Sequence, residues 1–279
     1  MRVNDRLLMG VPRGGTTLAC QLAGRAHNAI SLFEPINVEA LGSDHEMAIA
    51  AVGTFLTDTR QQLSRGGTAI SKQRDGGVPD NPFGPPDASG QRQLSVALGP
   101  IGPANPLSED FTLVVKHNAA FAALLPELTR VARCVAVVRH PVDVLASWAS
   151  VPLPVREGWL PAGERFDPIL ARTLRSENGA AERQLIILNW FFDRFANHLT
   201  NDCVVRYEDI VASQGGVLWD ALGVTAECVP SLQARGAHGR LAAALPALAL
   251  LRRGGGAWEQ WYPRETLLDV LNHLDEARI

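Results

Sequence analysis

The chain has 279 residues, 46% of them apolar and 20% charged, with a net charge of −3. This composition supplies a buried core and excludes disorder of the whole chain. It also excludes a nucleic-acid binder held by a broad basic surface, because such binding rests on neutralising phosphates, so any anion site must be local.

Residues 7–11 form the first of five short apolar runs that are nearly continuous, the pattern of a strand buried on both faces. The others are 30–33, 111–116, 134–138 and 203–207, and helix-type stretches follow them. The alternation predicts an α/β fold: a doubly wound parallel sheet of about five strands with helices on both faces. The length suits one domain, 1–279, with insertions.

The first run ends in Gly10-Val-Pro-Arg13-Gly14-Gly15-Thr16-Thr17, before a helix-like stretch over 18–26. Strand, glycine turn and helix make an anion cradle, with backbone N–H groups aimed at a phosphate. Against the pattern G-x-x-x-x-G-K-[ST], only the lysine is missing, and Thr16 stands in its place. That argues against ATP or GTP hydrolysis, while Arg13 supplies a cation elsewhere in the loop.

Glu34 follows the second run, in Phe33-Glu34-Pro35. The stretch 72–110, rich in proline and glycine, is expected to be a long loop or mobile insertion, and 151–179 a second irregular excursion. Both suit either a lid over a cleft or plain surface loops. Lys72 and Lys116 are the only lysines of an arginine-biased chain, which singles out Lys116 at the end of the third run, just before His117.

The fourth run leads into Arg139-His140-Pro141, with Ser147 in the helix that Pro141 opens. A strand-end cation and a helix hydroxyl can then reach one anion beside the glycine loop. Residues 180–199 carry Leu185, Leu188, Phe192 and Phe195 at helical spacing, an aromatic face expected in the core. The run Leu241-Ala-Ala-Ala-Leu-Pro246 onward to Leu251 is too short to span a bilayer and reads as buried helix.

Cys20, Cys134, Cys203 and Cys228 are widely spread with no C-x-x-C pair, so neither a zinc site nor a disulfide framework is expected. With no signal-peptide pattern at the start of the chain, the expected setting is cytoplasmic. No metal-ligand spacing is visible among the histidines.

Pro12, Arg13, Gly14, Gly15, Thr16 and Thr17 match the first signature of the sulfotransferases, and the stretch from Arg139 to Ser147 resembles their second. His140 departs from the family's asparagine or aspartate. The resemblance implies a sulfuryl transfer from 3′-phosphoadenosine-5′-phosphosulfate to an acceptor hydroxyl without a metal. It also implies that Arg13, Gly14, Gly15, Thr16 and Thr17 grip the 5′-phosphosulfate and that Arg139 and Ser147 bind the 3′-phosphate. Val204-Val-Arg206-Tyr207-Glu208-Asp209 resembles the family's late strand, with no catalytic role for Glu208 or Asp209. Arg252, Arg253 and Gly254, before Trp258, are similar to a glycine-rich loop that closes on the 3′-phosphate, though one residue short of it.

The resemblance offers two bases. Glu34 matches the base of the carbohydrate and tyrosylprotein branches, and His117 resembles that of the cytosolic branch but directly follows Lys116 instead of standing two residues on. Strand alternation places His117 opposite Lys116 unless the strand has ended. Glu34 is therefore favoured as base, with Lys116 stabilising charge. The acceptor is a sugar hydroxyl, a tyrosine or a small metabolite; the rival readings are a kinase-like nucleotide enzyme and a non-catalytic nucleotide-binding module.

Overall fold

The computed structural model describes residues 3–42, 44–88, 90–103, 105–226, 231–233 and 241–276. Its centre is a five-stranded sheet, parallel throughout, built from β1 (Asp5–Gly10), β2 (Ala29–Phe33), β7 (Thr112–Lys116), β8 (Arg133–Val138) and β9 (Val204–Arg206). The order across the sheet is β2-β7-β1-β8-β9, so β1 is the middle strand. The five apolar runs are these five strands, shifted by a residue or two at their ends.

Pleating explains why the runs are continuous. Leu7 and Met9 face one hydrophobic cluster together with Leu113, Val115, Ala136 and Val138, while Leu8 faces another with Val114, Val135 and Val137. On the first face lie α2 (His45–Ser64), α3 (Ala119–Ala123), α4 (Leu125–Leu128), α5 (Pro141–Trp148), α8 (Ala180–His198) and α11 (Leu241–Arg253). On the second lie α1 (Thr16–Ala23), α9 (Tyr207–Ala212) and α10 (Gly216–Leu222). Helices cover both faces, as the alternation predicts.

In α8, Ile187, Leu188, Phe191, Phe192 and Phe195 are fully buried, so the aromatic face is core. The last helix, α12 (Arg264–Glu276), contributes Leu267 and Leu271 to the same cluster. α2 is fastened to the sheet by a buried pair, Arg60 Nη2 to Asp5 Oδ1 at 2.5 Å, with Arg60 Nη1 donating to the Phe111 carbonyl.

Both segments expected to be irregular are built. Within and beside 72–110, β3 (Ala69–Gln73) pairs antiparallel with β6 (Ala97–Ile101), and β4 (Phe83–Pro86) pairs with β5 (Arg92–Leu94). Prolines such as Pro85, Pro86 and Pro100 fit because each of these sheets has only two strands and so offers edge positions, where a missing N–H costs little. Small sheets of this kind need backing. β3 finds it against β2, where the Phe33 N–H donates to Ser71 Oγ at 2.9 Å.

Across 151–179, three short helical pieces begin at Pro154, Pro161 and Pro168, the last two being α6 (Pro161–Glu164) and α7 (Pro168–Ser176). Each proline opens a helix instead of breaking one. Val155, Leu160, Phe166, Leu170 and Leu174 are buried in the main cluster, so this stretch is docked core rather than surface excursion. Cys20, Cys134 and Cys203 are buried free thiols; Cys228 lies outside the described residues. Among the described residues no helix is long and apolar enough to cross a membrane.

Candidate functional site

In open parallel sheets ligands bind at the carboxyl ends of the strands, and the glycine loop leaves the carboxyl end of the middle strand. The turn is closed by the Gly14 N–H donating to the Val11 carbonyl at 2.8 Å, and α1 begins at Thr16. Arg13 takes a left-handed backbone, φ 67°, uncommon for a residue with a Cβ. Gly15 is left-handed too, at φ 91°, and a Cβ there would lie 2.4 Å from the Tyr207 ring. Glycine at 15 thus answers both a torsion and a close approach.

The second predicted stretch lies against the first. Arg13 Nε donates to Ser147 Oγ at 3.1 Å, and Trp148 Nε1 donates to the Pro12 carbonyl at 2.7 Å. Arg139, at the end of β8, is buried with its guanidinium 4.5 Å from the centre of the Tyr207 ring and 3.4 Å from Asp143 Oδ2. One aromatic ring therefore underlies both Gly15 and Arg139.

His140 stands at the N-cap position of α5 without a side-chain capping bond. Its backbone N–H donates to Glu208 Oε1 at 3.1 Å, and the Tyr262 hydroxyl donates to Glu208 Oε2 at 2.7 Å. Glu208 joins α9 to α5 and to Tyr262, in keeping with a structural part.

Glu34 sits between the chain's two lysines: Lys116 Nζ donates to Oε1 at 2.7 Å and Lys72 Nζ to Oε2 at 2.5 Å. Its backbone is left-handed, φ 45°, held by its N–H donating to the Lys116 carbonyl at 2.8 Å. Burial opposes the carboxylate, but the Lys116 and Lys72 ammoniums outweigh it and hold the group well below the usual range. The Lys116 side chain is 2% exposed and that of Lys72 34%, so the first is locked and the second reaches water.

His117 is elsewhere. β7 ends at Lys116, yet the alternation persists for one more residue: His117 is buried against Phe121, among residues of the α3 side of the sheet. Its Nε2 accepts from the Ile36 N–H at 3.1 Å. Burial, aided by the nearby lysine charges and opposed by Glu34, pushes the imidazole down to about 3. It is a neutral, hydrogen-bonded core histidine outside the cleft lining.

A cleft of about 760 Å³ opens over the loop, lined by Arg13, Gly15, Thr16, Thr17, Glu34, Lys116, Arg139 and Ser147 together with Lys72, Asn81, Phe83 and Arg92. The β4–β5 hairpin supplies one wall, and Leu153 reaches in from the second excursion. Six cationic side chains, Arg13, Arg25, Lys72, Arg92, Lys116 and Arg139, face two carboxylates, Glu34 and Asp80, among the described lining. An anion finds strong local attraction there despite the chain's negative net charge. Gly14 closes the turn behind the lining. Arg252, Arg253 and Gly254, at the end of α11, stand apart from the described lining, and the Arg252 carbonyl accepts from Arg264.

Sequence reasoning missed Lys72, Asn81 and Phe83. Asn81 Oδ1 accepts from Arg13 Nη1 at 3.3 Å, and the Arg13 guanidinium lies 4.7 Å from the Phe83 ring centre, so both steady the loop's cation. The signal for Lys72 was its rarity, which singled out only its twin. No group of three or more His, Cys, Asp or Glu side chains is placed to hold a metal among the described residues. A comparison with models of known protein families finds no match for the chain, and a comparison with curated proteins finds none either.

Proposed function

We propose that this chain transfers a sulfuryl group from 3′-phosphoadenosine-5′-phosphosulfate to an acceptor hydroxyl, with a sugar as the first acceptor class to test and a tyrosine or small metabolite next. The observation that carries the reading is the contact between Arg13 and Ser147 at 3.1 Å, which joins the glycine loop to the Arg139–Ser147 stretch inside one cationic cleft. Its volume, about 760 Å³, is that of a small-molecule site.

In this reading the loop N–H groups and Arg13 hold the 5′-phosphosulfate, and Arg139 with Ser147 takes the 3′-phosphate through charge-assisted bonds. Sulfuryl transfer, like phosphoryl transfer, asks the protein for an in-line acceptor and for charge on the moving oxygens to be neutralised. Lys116, paired with Glu34, takes the second task in this reading, and Glu34 takes the acceptor proton. Thr16 in the lysine position sets the site apart from nucleotide hydrolases.

Calorimetry with adenosine 3′,5′-bisphosphate and 5′-AMP tests the donor site. The bisphosphate should bind at least about tenfold tighter, the worth of one charge-assisted bond, and Arg139→Gln should erase that advantage. Equal affinities in the wild type would overturn the assignment, and magnesium-dependent ATP turnover would move the chain to another class. A second reading, a nucleotide-binding module without catalysis, is favoured by one fact: both oxygens of Glu34 already hold ammoniums. Tight bisphosphate binding with no sulfate incorporation into any of a broad acceptor panel would select it.

A further inference from the structure

A carboxylate whose two oxygens each accept from an ammonium is a poor base, because protonation must compete with two charge-assisted bonds. Glu34 is in that state, yet its left-handed backbone and its place in the cleft that the glycine loop also lines point to a functional residue. Releasing one of the two cations raises its basicity and clears one oxygen for the acceptor proton. The two lysines differ in the way that decides which.

Lys116 belongs to a central strand and its side chain is almost wholly enclosed, with Nζ 4.5 Å from the Phe33 ring centre. Lys72 comes from β3, outside the main sheet. Its backbone is pinned, because β3 pairs with β6 and the adjacent Ser71 hydroxyl joins it to Phe33, but its side chain, a flexible four-carbon stem, is 34% exposed and holds Nζ farther from the Phe33 ring centre, at 5.7 Å. It also lines the cleft that holds Arg13.

We propose that Lys72 is a movable positioning residue, which holds Glu34 inactive in the free protein and transfers its ammonium to the sulfuryl oxygens when the donor binds. This rests on the sulfotransferase reading above. With Lys72 moved, one Glu34 oxygen is open. The acceptor oxygen bonds to sulfur as the bond from sulfur to the donor's bridging oxygen breaks. The hydroxyl proton passes to Glu34 and then to water, and adenosine 3′,5′-bisphosphate departs with the electron pair. The base is thereby armed only when there is a group to transfer.

The chain's two lysines make the test direct, since Nζ-labelled lysine gives two side-chain ammonium signals, assigned with Lys72→Arg. Spectra are recorded for the free protein, with adenosine 3′,5′-bisphosphate, and with 3′-phosphoadenosine-5′-phosphosulfate without acceptor. The proposal expects the Lys72 signal to move with the sulfated nucleotide but not with the bisphosphate, and to move further than that of Lys116, which keeps its bond to Glu34. It further expects Lys72→Met to weaken the sulfated nucleotide about tenfold, to leave bisphosphate affinity unchanged, and to be largely rescued by Lys72→Arg. If both nucleotides bind and neither separates the two lysine signals, Lys72 is a static support and the proposal falls while the donor site stands. If neither nucleotide binds at millimolar concentration, the sulfotransferase reading falls and takes the proposal with it.

Discussion

Glu34→Gln should destabilise the protein even though it removes no volume. The variant leaves the Lys116 ammonium, whose side chain is 2% exposed, facing a neutral amide in place of a carboxylate 2.7 Å away. Breaking one side of a buried ion pair costs about 3–5 kcal/mol. Glu34 keeps 24% of its side-chain exposure, and Lys72 can turn to water, so the lower end, about 3 kcal/mol at neutral pH, is expected. Urea unfolding should show this as a lower midpoint at unchanged slope. Adding Lys116→Met, which replaces the stranded charge by an apolar chain of similar length, should recover more than half of the loss. The pH dependence has a fixed sign. Glu34 titrates lower in the folded chain than its ordinary value of 4.5, so its contribution is present above that value and fades as pH falls through the depressed one. The gap between wild type and Glu34→Gln must therefore narrow in acid. A single variant within about 1 kcal/mol of wild type, or a gap that widens as pH falls, would refute the account of Glu34 as a carboxylate held by two ammoniums.

In turnover, Glu34→Gln should cost about 10²- to 10⁴-fold, the usual worth of a positioned base, with bisphosphate affinity almost untouched; His117→Asn should leave the rate within a few-fold. Gly15→Ala places a methyl group 2.4 Å from Tyr207 at φ 91°, so bisphosphate affinity should fall at least about tenfold with far-UV dichroism retained, and a change under twofold would count against the loop as the anion cradle. His45 faces an acceptor on each ring nitrogen, Glu127 Oε1 at 3.0 Å and the Phe166 carbonyl at 2.7 Å. Burial pulls its pKa down, but these bonds outweigh it and raise the value, so its stabilisation is full below 6.5 and is lost as pH rises through the raised value. The urea midpoint difference between wild type and His45→Asn should then be larger at pH 5.5 than at pH 8.5.

The central sheet was legible because burial on two faces leaves an unbroken apolar signature, and each of the five runs became a strand of it. The glycine loop was legible because the torsions at Arg13 and Gly15 are local properties of a few adjacent residues. The hairpins of 69–101 were not, since strands of three to five residues carry too few turns of the period-2 pattern to outweigh their prolines. At 151–179 the prolines misled in the other direction: Pro154, Pro161 and Pro168 open helical pieces, and only the buried Val155, Phe166 and Leu174 reveal that the segment belongs to the core. The partnership of Lys72 with Glu34 spans 38 residues and two separate sheets, a relation that no periodicity encodes.

The hairpin that begins at β3 carries two things at once. It leads into the chain that walls the cleft at Asn81 and Phe83, and it supplies the ammonium at Glu34 Oε2. Loops around a stable scaffold are commonly exchanged to change what a cleft admits. Here such an exchange would also strip a counter-ion from a carboxylate on the sheet edge. A graft that redesigns this wall must therefore bring its own lysine at the position of Lys72, or it will alter the protonation of Glu34 together with the shape of the cleft.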